Sequence, residues 1–217
     1  MIVVDSGSII SLAINCLCPL LTQLDKQFVI SPSVHKEIVE KPSSNKRFQL
    51  EALRMQMLLA NGTVKVVNTK TDYNERFLDA ANRVYRIKGK DLKIIHQAEA
   101  EVVGLAYELG AEAMLVDERT LRMLIEDPVS LRDLLSHRNK ANVKLNEHNL
   151  VEFQRLSPKI PIIRSSEIVA VSYEMGLLSK MHQVSDKKVL EAALSALKFS
   201  GCSITWEEID KYSKDVI

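Results

Sequence analysis

Short apolar segments recur along this chain of 217 residues, and longer stretches with helical spacing separate them. Most of these segments are apolar at successive positions rather than alternate ones, which is typical of strands covered on both faces. They lie at residues 2–4, 28–30, 64–67, 114–116 and 160–163. Because helical stretches lie between them, the order predicts an α/β fold with a central parallel sheet of about five strands and helices on both sides. Ligands of such folds bind outside the carboxyl ends of the strands.

The clearest predicted helix covers residues 97–109, where apolar side chains form one stripe and Gly110 ends the helix. Further helices are expected over 32–40, 45–61 and 73–87. Two more follow from about residue 186, and Thr205 with Glu208 forms a capping box at the start of the second. The stretch 127–159 is long for a connection and helical in parts. It is either a structural insertion or a substrate-clamping arm, and its small excess of two basic residues favours the structural interpretation.

Composition narrows the class of protein. Lys and Arg number 29 against 28 Asp and Glu, so no overall positive field draws the chain to nucleic acid or membrane, and any polyanion must bind a local patch. Three cysteines are too few for a disulfide framework and favour a reducing cytoplasm. No apolar run approaches the roughly 20 residues of a membrane helix, and Asp5 argues against a signal peptide.

Acidic residues mark the predicted carboxyl ends of two strands. Asp5 follows the first strand and Asp117 follows the fourth, so both are expected at one edge of the sheet. Either residue alone is better explained as a helix cap or turn residue, but two at equivalent strand ends are harder to dismiss.

Two helical acids join them. Glu37 lies on the inward stripe of the 32–40 helix, where it either binds a partner or extends its carboxylate to water. Glu99 lies in the first turn of the 97–109 helix, a position that the helix dipole also favours for an acid. Four carboxylates in one small site cannot all stay ionised unaided, and such oxygen clusters suit Mg²⁺ or Mn²⁺. A metal held there could lower the pKa of a bound water for phosphodiester hydrolysis.

Basic residues near these acids could hold phosphates, although each is individually more typical of a solvated surface. They include Lys36, Lys41, Lys46, Arg47, Arg119 and Arg122. Walker A, GxGxxG and GxSxG motifs are absent from the sequence. Cys16 and Cys18 lack the partners of a zinc site and are expected to be buried structural thiols.

Three segments resemble the PIN domain, the metal-dependent ribonuclease fold that includes the VapC-type toxins. Residues 3–8 carry a strand-ending aspartate followed by a small hydroxyl residue, and residues 33–38 resemble the acid-bearing second helix. The most specific segment runs from Ala-Glu-Ala-Glu at 98–101 to Leu-Val-Asp-Glu at 115–118, with 18 residues from Glu99 to Asp117. The resemblance spans 1–126 and resumes at 160–178. Ala98 replaces a usual glycine, and Glu118 replaces a second aspartate.

The resemblance implies a three-layer α/β/α sandwich. A PIN-like domain would cover 1–180 with 127–159 inserted, and a helical extension, 181–217, would pack on the same domain. The implied catalytic and metal-holding acids are Asp5, Glu37, Glu99 and Asp117, with Glu118 assisting and Mg²⁺ or Mn²⁺ as cofactor. The expected substrate-binding residues are Arg119, Arg122, Lys36 and, on weaker grounds, Ser6; Ser8 is the alternative to Ser6.

The leading hypothesis is therefore a cytoplasmic, metal-dependent endoribonuclease that cleaves single-stranded or structured RNA. The alternative is a non-catalytic PIN-like module that binds RNA or a protein partner, which the altered residues 98 and 118 and the inserted stretch motivate. An aspartyl-phosphate enzyme fits less well, because Asp5 lacks a second aspartate two residues on. A homodimer and an antitoxin partner are suggested by the family alone.

Overall fold

A computed structural model describes residues 1–182 and 187–215 of the chain. Its strands are β1 (Ile2–Val4), β2 (Phe28–Ile30), β3 (Val64–Val66), β4 (Tyr85–Ile87), β5 (Lys90–Asp91), β6 (Ala113–Leu115), β7 (Val143–Leu145) and β8 (Ile162–Ile163). The helices of the first half are α1 (Ser6–Ile14), α2 (Cys18–Gln23), α3 (Pro32–His35), a π-helical turn (Lys36–Glu40), α4 (Lys41–Ser43), α5 (Gln49–Ala60) and α6 (Tyr73–Ala81). Those of the second half are α7 (Gln97–Leu109), α8 (Arg119–Glu126), α9 (Pro128–Asn139), α10 (Glu147–Leu156), α11 (Ser165–Glu174), α12 (Leu177–His182), α13 (Lys187–Phe199) and α14 (Trp206–Asp215).

Five strands form one parallel sheet in the order β3-β2-β1-β6-β8, with helices packed around it. All five are the segments that the sequence predicts, and the expected mixed α/β architecture is confirmed. Val3, Val4 and Met114 are completely buried, as expected for central strands covered on both faces. Because the strands run in one direction, their C-terminal ends share one side of the sheet, which we term the carboxyl edge.

A second, antiparallel sheet of three strands has the order β5-β4-β7. The sequence does not predict it, and the helix expected over 73–87 is wrong beyond Ala81. Residues 85–87 instead pair with β5 through a tight hairpin and with β7 from the 127–159 stretch. Tyr85 is completely buried and Arg86 is exposed, so the strand has the alternation of a half-covered sheet.

The predicted helix over 97–109 is confirmed, and Gly110 ends it in the left-handed region at φ +57°. The helix expected over 32–40 is present but continues to Ser43, and it changes to a π-helical turn at Lys36. The helix expected over 45–61 begins only at Gln49. Cys18 is buried as expected, whereas the expectation of a buried Cys16 is wrong, because that residue is exposed.

The C-terminal helices share the core of the sheet. Leu190, Leu194 and Leu197 of α13 are completely buried within the same apolar cluster as the central strands. The predicted capping box of α14 is confirmed, since Thr205 N donates to Glu208 and Glu208 N donates to the Thr205 hydroxyl. The predicted start at residue 186 lies outside the described residues. The division into 1–180 and 181–217 stays a prediction. No helix of the described residues is long and apolar enough to cross a membrane.

Candidate active site

The register of β1 and β6 brings two acids to the carboxyl edge. Val4 lies opposite Leu115, and Asp5 N donates to Leu115 O at 3.0 Å. Ser8 of α1 connects the same strands, because its hydroxyl donates to Leu115 O at 3.3 Å and accepts from Asp117 N at 2.8 Å. Ser8 is completely buried and engaged on both sides, so the structure gives it a scaffolding role rather than the alternative ligand-orienting one.

Asp5 is buried and caps the N-terminus of α1. Its Oδ2 accepts from Gly7 N at 3.0 Å, and a Cβ atom at Gly7 would lie only 3.1 Å from that oxygen. Glycine at position 7 therefore leaves room for the carboxylate. The pKa of Asp5 is raised to about 6, mainly by burial and less by the charges of Glu37 and Asp117, while hydrogen bonds from the Gly7 and Ser6 amides oppose the rise.

Glu37 lies in the π-helical turn and is half-buried. Its nearest cation is Lys41, whose Nζ lies 3.9 Å from Glu37 Oε1. Turns of this kind interrupt α-helices frequently at functional sites, since the extra residue changes which side chains face inward. The negative charge of Glu37 acts on both Asp5 and Glu99, so the turn places Glu37 beside them.

Glu99 is the third residue of α7, and its Oε2 accepts from His96 N at 2.6 Å. The pKa of Glu99 is raised to about 7, mainly by burial and less by the charges of Glu118, Asp5 and Glu37, while the hydrogen bond from the His96 amide opposes the rise. The carboxylates predicted from distant parts of the chain thus act on one another at the carboxyl edge. We term the group of Asp5, Glu37, Glu99, Asp117 and Glu118 the acid cluster.

Asp117 and Glu118 also accept hydrogen bonds at helix N-termini, those of α11 and α8. Asp117 Oδ1 accepts from Ser165 N at 2.7 Å, and Oδ2 accepts from the Ser165 hydroxyl at 2.6 Å. Glu118 Oε2 accepts from Leu121 N at 2.7 Å and caps α8. Burial nevertheless raises the pKa of Asp117, which the Ser165 hydrogen bonds oppose. Both residues therefore have a structural function in addition to their place in the cluster.

Ser165 is a site residue that sequence reasoning missed. It could have been found only from the pairing of Leu115 with Ile163, because extending that register by two residues places Asp117 opposite Ser165. Each strand is recognisable from the sequence, but their adjacency is not.

A buried cation follows the last strand of the parallel sheet. Arg164 forms ion pairs with Glu167 at 2.5 Å and with Glu208 of α14 at 2.9 Å. Burial opposes the charge of Glu208, yet the hydrogen bonds from Arg164 and Thr205 lower the pKa of Glu208 to about 2. The C-terminal helix is thereby connected to the residue next to Ser165.

The predicted substrate-binding residues differ in availability. Lys36 and Arg119 are exposed, and Ser6 is half-buried at the first position of α1. Arg122 is 18% exposed in its side chain and lies 3.9 Å from Glu126, so part of its charge is already engaged. Lys36 and Arg119 are therefore the more available cations.

The donor set of the acid cluster has the chemistry that hard divalent cations prefer, namely carboxylate oxygens at a buried, negatively charged site. In residues 1–182 and 187–215, however, no group of three or more His, Cys, Asp or Glu side chains converges closely enough to hold a metal ion. Burial and neighbouring negative charges raise the pKa values of Asp5 and Glu99, and a bound cation would offset both effects.

A family model described as a PIN domain (DUF3368) matches residues 1–127. The match covers more than half of the chain and includes every member of the acid cluster. No curated protein matches the chain.

Proposed function

The chain belongs to the PIN-domain family, whose members are generally nucleases that use divalent metal ions. We propose that it is a metal-dependent endoribonuclease acting on single-stranded RNA. One observation carries the proposal. Asp5, Glu37 and Glu99 come from three distant segments, yet the charge of Glu37 raises the pKa of both Asp5 and Glu99, and the charge of Asp5 raises that of Glu99. A fold that gathers partly buried acids beside one another has a stability cost, which a bound divalent cation would offset.

In this proposal Asp5, Glu37 and Glu99 hold Mg²⁺ or Mn²⁺, with Asp117 and Glu118 completing the negative site. A cation bound there supplies an activated water and offsets the charge of the scissile phosphate. Near pH 6 Asp5 is half protonated and Glu99 is mostly protonated, because their pKa values are about 6 and 7. Cation binding would therefore release protons from these two carboxylates.

Lys36 and Arg119 would orient the phosphate backbone, since both are exposed and flank members of the acid cluster in sequence. Ser6, next to Asp5, would donate its hydroxyl to the substrate. Arg122 would attract the phosphates through its positive charge without contacting them, because Glu126 lies beside it. These residues would position the RNA backbone beside the acids and would not distinguish one RNA sequence from another.

The direct test is cleavage of labelled single-stranded RNA with Mg²⁺, with Mn²⁺ and with EDTA. We expect cleavage with either metal, none with EDTA, and none by Asp5→Asn or Glu99→Gln. Asp133→Asn is the matched control, because Asp133 is exposed and paired with Arg132 away from the cluster. Cleavage that persists in both cluster variants would contradict the assignment.

A second candidate is a PIN module that binds RNA or a protein partner without cleaving. Two observations favour it: the described residues contain no group of acids ready to hold a metal ion, and Asp117 is hydrogen-bonded to Ser165. RNA binding without metal-dependent cleavage in the same assay would support this alternative. Light scattering during gel filtration would test the proposed homodimer, and co-purification from the native host would test an antitoxin partner.

A further inference from the structure

The antiparallel sheet carries a row of charges that the proposed reaction does not use. Arg86 of β4 lies directly opposite Lys144 of β7 and, on its other side, opposite Asp91 of β5. Asp91 pairs with Arg86 at 2.8 Å, whereas no residue in the described ranges forms an ion pair with Lys144. Like charges directly opposite each other destabilise a sheet, so this arrangement needs another reason.

An outer hollow of about 850 Å³ lies at this face. Its cationic lining consists of Arg86, Lys88 and Lys144, and Asn142, His148 and Glu147 also line it. Lys88 occupies the hairpin turn at φ +50°, followed by Gly89 at φ +80°. Asparagine or glycine is usual at the first of these positions, and a lysine there has an unfavourable backbone conformation. The chain nevertheless places an exposed cation at the tip of the hairpin.

An inner hollow of about 260 Å³ lies closer to the acid cluster. Lys93, His96 and Arg138 line it, together with Thr120 and Asn139 and without an acidic residue. His96 N donates to Glu99, and Thr120 follows Glu118 by two residues. The inner hollow therefore borders the acid cluster through the start of α7 and the start of α8.

Chain continuity joins the two hollows. Residues 138–139 line the inner hollow and residues 141–142 line the outer one. Between them lies only Lys140, which is exposed at φ +48°. On the other side, only β5 and Leu92 separate the hairpin tip from Lys93. Within the part of the chain that the structure describes, neither Lys93 nor Arg138 forms an ion pair.

We propose that Arg86, Lys88, Lys93, Arg138 and Lys144 form one basic track that binds the phosphate backbone of single-stranded RNA and leads it to the acid cluster. This inference rests on the proposed function for its choice of ligand. A strand with one negative charge per nucleotide can span both hollows and reach the acids, whereas an acidic peptide would bring the acids no phosphodiester. The interleaved amides of Asn139 and Asn142 suit backbone and sugar contacts.

The test is fluorescence anisotropy of a labelled single-stranded RNA in EDTA, so that binding is measured without cleavage. The test variants are Lys93→Glu/Arg138→Glu and Lys88→Glu/Lys144→Glu. The control is Arg155→Glu/Lys159→Glu, which reverses two exposed cations that line a different hollow and changes the net charge equally. We expect each test pair to weaken binding about tenfold and to reduce the salt dependence of log K by about one or two, with little change in the control.

Equal affinities in test and control variants would overturn the track, as would a wild-type protein that does not bind RNA. Poly-glutamate binding as tight as RNA binding, with the same losses, would also overturn it in favour of an acidic-protein partner. The outcome is separable from cleavage. If wild-type protein binds RNA through these residues but never cleaves it with metal, the track stands and the nuclease proposal fails.

Discussion

At the carboxyl edge, the acids beside β1 differ from those beside β6 in how their charge is compensated. Asp117 accepts two hydrogen bonds from Ser165 at the start of α11, and Glu118 accepts one from Leu121 N at the start of α8. Asp5 and Glu99 each accept from a local backbone amide, yet burial and neighbouring charge leave their pKa values at about 6 and 7. The same residue type at equivalent strand ends thus stabilises the fold on one side and leaves charge available for a ligand on the other.

The largest expected difference between the two sides is in catalysis. Asp5→Asn should lower the rate of metal-dependent RNA cleavage by about a thousandfold or more, because it removes a central carboxylate from the proposed metal site. It should leave the fold intact, since asparagine can also accept from Gly7 N. Single-turnover cleavage and circular dichroism measure the two effects. A variant that keeps more than a tenth of the wild-type rate would show that Asp5 has no central role in catalysis.

The β6 side should show its largest effect in stability. Asp117→Ala leaves the Ser165 amide and hydroxyl without their charged acceptor in a buried site, and we expect a loss of about 3–4 kcal/mol in the free energy of unfolding. Urea unfolding of Asp117→Ala, Ser165→Ala and the double variant would give the coupling energy. Additive losses would show that the two residues do not act as a unit.

Stability should also depend on pH through Asp5. Its folded-state pKa of about 6 exceeds the unfolded value, so the ionised carboxylate destabilises the fold as pH rises between those values. The metal-free Asp5→Asn variant should therefore match wild type near pH 4 and exceed it by about 3 kcal/mol above pH 7. Groups common to both proteins cancel in this difference. A difference in stability that stays constant with pH would show that the charge of Asp5 does not destabilise the fold.

The smallest effect is expected at Lys41. Its Nζ lies 3.9 Å from Glu37 and the lysine is 64% exposed, so the pair contributes little to stability. Lys41→Met should change the free energy of unfolding by less than about 0.5 kcal/mol. A larger loss in urea unfolding would mean that Glu37 is compensated in the same way as Asp117.

The parallel sheet and the acid cluster were open to sequence reasoning because their signals are local. Buried strands are continuous apolar runs, and Asp5 and Asp117 follow such runs directly. The antiparallel sheet could not be predicted in this way, since β4 pairs with β5 through a hairpin and with β7, which lies more than 50 residues away in the sequence. The role of Ser165 depends on which strands are neighbours, and that information lies in tertiary packing rather than in any segment.

Calorimetric titration of the protein with Mn²⁺ in buffers of different ionisation enthalpy measures both the affinity for the cation and the number of protons that binding releases. If Asp5, Glu37 and Glu99 hold the cation, binding near pH 6 should release about one proton or more per ion, because the pKa values of two of these carboxylates lie at about 6 and 7. Proton release should fall toward zero above pH 8, and Asp5→Asn should lose most of the affinity. Equal affinity in wild type and Asp5→Asn, with no proton release at any pH, would show that these acids do not hold the cation.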